Sequence, residues 1–488
     1  MKQFLLSILL TLFIATTFES CVDDSIFIPK ATTVNGITTV SDIRPGGLDK
    51  AVLLTSVFIT HLVINDTIDS RDFKTMRDNL PNLKMVDLSN ATIAAYNGYE
   101  GSAGTRVYRY SANAIPEFAF YNPSKSVDNT KLSSIIFPKS IKSIRNFAFN
   151  RCVALSGLLE IPVSVIDTIG NSAFAFCDHI TDLTLAGTKF IGESAFQGCV
   201  GLSGQLVIPD STTTIKSWAF ADCSNIGTIT ISGTVADISA SSFNGCSALF
   251  SVDASNTTYS SLDGVLFDFG QTTLIQFPVS KSGDYIVPST VGTIGAYSFD
   301  NCTGLTSITF SASVTSIEDY AFNGCSGLNG AFTISSGITS IGQYVFEDCI
   351  NITRFQIAPE NTSFSYLDGV LTDLVQMTIK RCVITKTGSY IVPTDISYID
   401  KSAFSNCTNL TSITFSELLS YIGTRAFYNC TGLNSIYVKS TTPIDLGIGL
   451  TIFDGVNKKT CTLYVPTGTK DKYWSASIWN SFSKIVEN

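Results

Sequence analysis

The apolar positions of this chain fall in a recurring order. In Val314–Phe332 (VTSIEDYAFNGCSGLNGAF) an apolar residue is followed by two variable ones, Ile317, a short polar run, Ala321-Phe322, two variable residues, Cys325 and Leu328. An alternating apolar run closes the unit. The same skeleton is read at Val291–Phe310, Ile396–Phe415 and Leu419–Val438. Its phenylalanine falls at 149, 174, 196, 220, 243, 299, 322, 346, 404 and 427, so units are 22 to 25 residues apart except across gaps of 56 and 58. A period in the low twenties predicts a solenoid: a unit this short cannot close its own core, and stacked units bury one continuous apolar column.

Periodicity assigns the elements within a unit. In Leu305–Phe310, Ile308 and Phe310 point to one side of a strand and Ser307 and Thr309 to the other. Ile294 and Ile317 begin their coils on the opposite side of the core. The Ala-Phe pair sets a large ring beside a small residue, which predicts a tight helical or 3₁₀ corner, and the phenylalanine series reads as core. The long gaps hold related insertions, near 253–290 and 357–395, sharing Asn-Thr and an Asp-Gly turn at Asp263-Gly264 and Asp368-Gly369. Asp-Gly between apolar residues is tight-hairpin chemistry, so each insertion reads as an extra strand pair that juts from one edge.

The array is expected over 126–440 and its ends differ from it. Phe73, Met76 and Leu80 have helical spacing, with Asp69 or Ser70 as N-cap, and Leu83–Asn90 alternates like a strand. Residues 46–125 therefore read as an N-terminal cap with a divergent first repeat. After Val438 the pattern stops, and Phe453, Tyr473, Trp474 and Trp479 predict a C-terminal cap over 441–488. Ahead of the caps, Met1-Lys2 and the apolar run from Phe4 to Ala15 read as a signal peptide, residues 1–20, too short to span a bilayer. A tether, residues 21–45, follows. Cys21 with Val22-Asp23-Asp24-Ser25 behind it resembles a bacterial lipoprotein signal, in which the cysteine is lipidated. Glu19 stands where that signal carries a small residue, so plain cleavage and secretion is the alternative. Either way the chain is expected to be exported, as an outer-membrane or cell-surface lipoprotein or as a secreted protein, touching the membrane only through an N-terminal lipid anchor.

Composition narrows the function. Charged residues are 15% of the chain, the net charge is −9, and Lys and Arg form no block, which argues against nucleic acid and against docking on anionic lipid. Ten cysteines lie three residues after the repeat phenylalanine, at 152, 177, 199, 223, 246, 302, 325, 349, 407 and 430. Their common phase sets parallel Cβ vectors in a row, poor disulfide geometry, so they read as buried small side chains, with Cys382 and Cys461 off register. No CxxC or histidine partner suggests a metal site. His61 and His179 lie in different coils with no serine or cysteine elbow, and no phosphate-binding or dinucleotide fingerprint occurs. The reading is of a protein that is not an enzyme and needs no metal or cofactor.

The repeat I-x-x-I-G-x-x-A-F-x-x-C-x-x-L-x-x-I resembles the BspA-type leucine-rich repeat family of bacterial surface proteins. Ile191-Gly192-Glu193-Ser194-Ala195-Phe196-Gln197-Gly198-Cys199 and Ile422-Gly423-Thr424-Arg425-Ala426-Phe427-Tyr428-Asn429-Cys430 match it almost residue for residue. The resemblance implies a β-rich leucine-rich-repeat solenoid, one strand plus a short helix or 3₁₀ corner per coil, with caps at both ends. It also implies surface exposure and adhesion, with host matrix proteins such as fibronectin or fibrinogen named as ligands for some members. It brings no catalytic residues.

Surface recognition is what remains. The outward strand positions predict a binding face made of Asp182, Thr184, Gln205, Thr228, Thr230, Ser307, Thr309, Thr333, Arg354, Gln356, Ser412, Thr414, Ser435 and Tyr437. Threonine and serine are also ordinary residues of a solvated strand, so any one position can be surface alone. The leading expectation is an adhesin or protein-binding scaffold. The alternative is a glycan-binding surface protein for nutrient capture, which calls for an exposed aromatic platform; Trp218 is the only tryptophan in the array.

Overall fold

The computed structural model describes residues 30–104, 107–125, 127–162, 166–444, 446 and 451–488. The signal peptide and Cys21 lie outside the described residues. The chain winds as a β-solenoid with two parallel sheets, one on either side of the core. Long strands such as Leu305–Thr309 and Leu410–Phe415 line one side, and two-residue strands such as Thr293–Ile294 and Ser316–Ile317 line the other. Both kinds pair in parallel with their counterparts in the next coil. The side-chain period of two buries Ile308 while Ser307 and Thr309 stay exposed, and the extra residue at Thr306 returns Leu305 to the core side.

The first coils depart from the repeat. Within the segment read as a tether, Lys30–Val34 and Ile37–Ser41 form an antiparallel hairpin, whose second strand pairs with His61–Ile64. The helix runs Ser70–Asn79 with Asp69 as N-cap in a full capping box, closed by the Asp72 side chain. Asp72 also accepts from the Gly46 and Leu48 amides at 2.7 and 2.9 Å, tying the preceding turn to the helix start. Such a cap stabilises by about 1 kcal/mol.

The corners are turns rather than the expected helix or 3₁₀ segment. Among the described residues the helices are Leu48–Val52, Ser70–Asn79 and Lys470–Ser475, with 3₁₀ turns at Ser56–Phe58 and Trp479–Ser481, all outside the array. The reason is where the corner amides point. Phe147, Phe149 and Arg151 donate to the Asn171, Ala173 and Ala175 carbonyls of the next coil at 2.9, 2.8 and 2.8 Å. A helix would return those amides to its own preceding turn. Sending every second amide outward puts the residues two before and two after the phenylalanine in the left-handed region, as at Phe147 (φ +56°) and Arg151 (φ +58°). For bulky side chains this conformation is unfavourable by roughly 1–2 kcal/mol each, and the inter-coil ladder of the corner holds it.

The repeat phenylalanines stack down the core. Centroids of Phe149, Phe174, Phe196 and Phe220 follow one another at 5.0, 5.3 and 5.3 Å with nearly parallel planes. Full burial of each ring contributes about 1.5–3 kcal/mol. At the insertions two other residues take the phenylalanine's place. Phe277 donates its amide to Ser298 O and stacks on Phe299, and Cys382 donates its amide to Ala403 O.

The insertions do not jut from an edge; they cross the core. In Val265–Asp268 the Val265 and Phe267 side chains belong to one apolar cluster and Leu266 to the preceding one. In Val370–Asp373, Leu371 faces the preceding cluster and Val370 the following one. The second strand of each hairpin is a partition wetted on neither face, because a strand flanked by two open solenoid ends can bury both of its faces. Their Asp-Gly turns are as expected, with φ +49° and +77° at Asp263-Gly264 and +50° and +84° at Asp368-Gly369.

A second punctuation divides the long-strand side. Gly157, Gly204, Gly283, Gly330 and Gly388 all have positive φ, and each sits in the first strand of a fresh ladder, at a register shift where the second strand carries one extra residue. A Cβ at any of them would meet nothing within 4 Å, so glycine is required for its backbone conformation and not for space.

Candidate binding face

The long strands carry all fourteen residues expected on the binding face, and the ladder register sorts them into two columns. Gln205 pairs with Thr228, Ala331 with Arg354, and Ser389 with Ser412 and then Ser435; Asp182 and Ser307 occupy the same column in their own ladders. Two residues on, Thr184, Thr230, Thr309, Thr333, Gln356, Thr414 and Tyr437 form the second column. None of the fourteen is buried.

The columns are less polar than the sequence reading proposed. Leu158, Val207, Ile286 and Ile391 share them and point outward, Ile286 and Ile391 being 75% and 65% exposed. The signal was present in the Gly-x-Φ-x-Φ-Pro strands: Leu206 and Tyr285 face inward, so period-two alternation forces Val207 and Ile286 out. Single aliphatic side chains among hydroxyls and amides make a face that can be desolvated locally without burying charge.

Local bonds order the face. Gln205 Nε2 donates to Thr230 Oγ1 at 2.9 Å across the ladder. The Asp284 carboxylate accepts from Ser307 and Thr306 at 2.7 and 2.8 Å, and these hydroxyls hold its carboxyl below the ordinary range. Toward the C-terminus Tyr437 stacks on Tyr464 with centroids 4.4 Å apart. Together with Thr414, Lys439, Pro466 and Asn488 they border a concavity of about 380 Å³. Beyond it, Trp479 is fully buried and donates to Ile444 O at 2.9 Å.

Other candidate chemistry is dispersed. His61 Nδ1 is 2.9 Å from Thr60 Oγ1, and His179 Nδ1 is 2.7 Å from Val153 O, in separate coils. The cysteines of the described residues are buried and free. Their row has a bonding role beyond packing: Cys177, Cys199 and Cys223 donate to the carbonyls of Phe149, Phe174 and Phe196, one coil back, at 3.2, 3.1 and 3.2 Å. Trp218 is half-buried and packs edge-on against Tyr297, which stacks on Tyr320 and then Tyr344 at 4.7 Å spacings. Those left-handed corner positions form an aromatic column whose ring faces are occupied by one another.

Stacked coils of this period, with one parallel ladder facing out and one phenylalanine per corner, define a leucine-rich-repeat scaffold. The model of the BspA type Leucine rich repeat region matches in six copies, over residues 113–249, 167–287, 276–388 and 368–453. The match takes in well over half of the chain, and the chain belongs to that family. A leucine-rich repeat protein from Eubacterium ventriosum is 24% identical, with 70% of this chain and 88% of that one covered at a TM-score of 0.51, and has the same fold. A leucine rich cell surface protein from Faecalibacterium prausnitzii is 20% identical, with 86% of this chain and 95% of that one covered at a TM-score of 0.45. No curated protein matches the chain. Repeats of this family form scaffolds that generally bind proteins. Among the described residues no helix is long and apolar enough to cross a membrane.

Proposed function

We propose that this protein is a non-catalytic cell-surface scaffold that binds a protein ligand through its long-strand face. The observation that supports this most is the pair of outward columns, in which threonine, serine and glutamine alternate with isolated exposed aliphatic residues and few charges. Extended parallel faces of this kind are where solenoids engage partners. Host matrix proteins, fibronectin or fibrinogen, are the ligand class proposed, with export and an N-terminal lipid anchor at Cys21 holding the scaffold at the cell surface.

The test is binding of Asp23–Asn488 to immobilised fibronectin and fibrinogen. Saturable binding that falls more than about tenfold in a Thr309→Glu/Thr414→Glu variant supports the face and the ligand class. Binding untouched by those substitutions removes the face from the proposal. No binding to either protein removes the matrix ligand.

A further inference from the structure

The two insertions are built on one plan, so each serves as a control for the other. Aligned on Asn256 and Asn361, they share the buried asparagine, the Asp-Gly hairpin and a third strand that pairs in parallel with the next coil, Leu274 with Ile294 and Ile379 with Ile399. What lies at the seam with the preceding coil differs.

At the first insertion the seam is closed. Tyr259 reaches back and its hydroxyl accepts from the Ile238 amide, the edge of the preceding short-strand sheet, at 2.7 Å. Ile275 stands on the strand Thr273–Gln276, and Gly295 directly follows the strand Thr293–Ile294. At the second insertion Phe364 replaces Tyr259 and has no hydroxyl to offer the Ile341 edge. Lys380 replaces Ile275, and Asp400 replaces Gly295. Tyr398, Tyr421 and Gln343 stand where Thr293, Ser316 and Ala240 are found. These substitutions converge on one open cleft of about 380 Å³, lined by Gln343, Gln376, Lys380, Tyr398, Asp400 and Tyr421.

The solenoid does not need this chemistry. Lys380 Nζ and Asp400 Oδ2 are 2.5 Å apart, with side chains 5% and 9% exposed, and desolvating such a pair opposes its attraction. An isoleucine and a glycine do the same structural work at the first insertion. The Lys380 ammonium has three donors, of which Asp400 takes one. Tyr398 and Tyr421 are 45% and 39% exposed, and their rings are tilted by 50° and not stacked. Unlike the tyrosines of the corner column, they do not stack face to face on one another.

We propose that the cleft at the second insertion binds a saccharide, one or two neutral hexose units of a glycan chain. A carboxylate, an ammonium and two amides around one cleft offer the alternating acceptors and donors that vicinal hydroxyls require. Two exposed tyrosine rings suit the C–H side of a pyranose ring. The paired charges leave no net charge to select an anionic ligand, and the volume lies within the range of about 300–1,000 Å³ usual for ligand pockets. The site is separate from the long-strand face, on the opposite side of the core, and does not rest on the protein-binding reading.

The test uses the full exported chain on an array of neutral glycans, followed by titration with the oligosaccharides that bind. The expected result is binding that falls more than about tenfold in Tyr398→Ala/Tyr421→Ala. Lys380→Ile/Asp400→Gly, which installs the residues of the first insertion, is expected to lose binding equally while unfolding at an unchanged or higher temperature. Absence of saccharide binding at millimolar concentration overturns the proposal. So does binding that survives both variants, and so does a cleft that takes up peptides in place of sugars.

Discussion

Cys325 Sγ stands 2.9 Å from the carbonyl oxygen of Phe299, one coil back, in a site from which water is excluded. The same bond joins Cys349 to Phe322 at 2.9 Å and Cys430 to Phe404 at 3.0 Å. The thiol is a weak donor, and it fills the second lone pair of a carbonyl that already accepts from the Cys302 amide at 3.0 Å. Cys325→Ala is therefore expected to destabilise by about 1–2 kcal/mol, the lost volume outweighing the lost bond. Cys325→Ser keeps a donor and should cost less. Urea midpoints for the two variants decide it: equal losses would mean that the carbonyl bond contributes nothing.

The same burial makes stability depend on alkaline pH. It pushes the Cys199 and Cys349 thiols up to about 12 and holds Cys177 and Cys325 well above their ordinary value, with neighbouring thiols adding to the last two. An unfolded thiol ionises near pH ~8.5. Because the folded values are raised, the stabilisation is complete below the unfolded value and is lost as pH climbs from there toward the folded one. Each such thiol removes about 1.4 kcal/mol per pH unit in that window. The melting temperature should hold steady from neutral pH to about 8 and drop steeply above 9. A melting temperature flat through that range would contradict the buried thiol row.

Much of this architecture was legible because the repeat states it many times over. The phenylalanine and cysteine periods, the inward Ile308 and outward Thr309, and the Asp-Gly turns all follow from local chemistry that each unit repeats. The corner reads as helical from the sequence because Ala-Phe spacing constrains side-chain packing alone; where the Phe149 amide goes depends on a carbonyl of the next coil. The insertions read as edge hairpins for a similar reason. The Asp263-Gly264 turn specifies a hairpin and not its place, and only the neighbouring coils show that both faces of Val265-Leu266-Phe267 are dry. The cleft was invisible because Lys380, Asp400 and Tyr421 are far apart in the chain. Their meaning appears only when the two insertions are superposed in register.

The hairpin glycines offer a paired comparison. Gly264 and Gly369 occupy the same left-handed turn position, so replacement by alanine should cost about 1–2 kcal/mol at either. Their surroundings differ. A Cβ on Gly264 would lie 2.8 Å from Leu249 Cδ2 and 3.1 Å from its Cβ, whereas on Gly369 its nearest neighbour would be Lys386 Cδ at 3.3 Å. Gly264→Ala is expected to be the more destabilising of the two by thermal unfolding. The reverse order would show that the leucine yields more easily than the lysine stem.

The buried asparagines that open the insertions give the sharpest pH test. Asn361 Nδ2 donates to Ser335 O and Ile338 O of the preceding coil at 2.7 and 2.8 Å, while its Oδ1 accepts from the Ser363 and Phe364 amides at 3.0 and 3.1 Å. Asn256 makes the corresponding four bonds at 2.8 to 3.0 Å. The side chain thus stitches each partition to the coil before it, with every polar atom engaged. Asn361→Asp preserves shape and both acceptor bonds but turns two donors into an oxygen that faces two carbonyls. Near neutral pH the introduced carboxylate should destabilise by about 3 kcal/mol. Burial and the facing carbonyls raise the pKa of that carboxyl in the folded state, so the penalty is smallest below about pH 4, where a proton restores one donor, and grows as pH rises. Denaturant midpoints of the variant relative to the native chain, at acidic and neutral pH, measure this directly. A difference that does not change with pH would mean that the Asn361 amide is not the donor to Ser335 and Ile338.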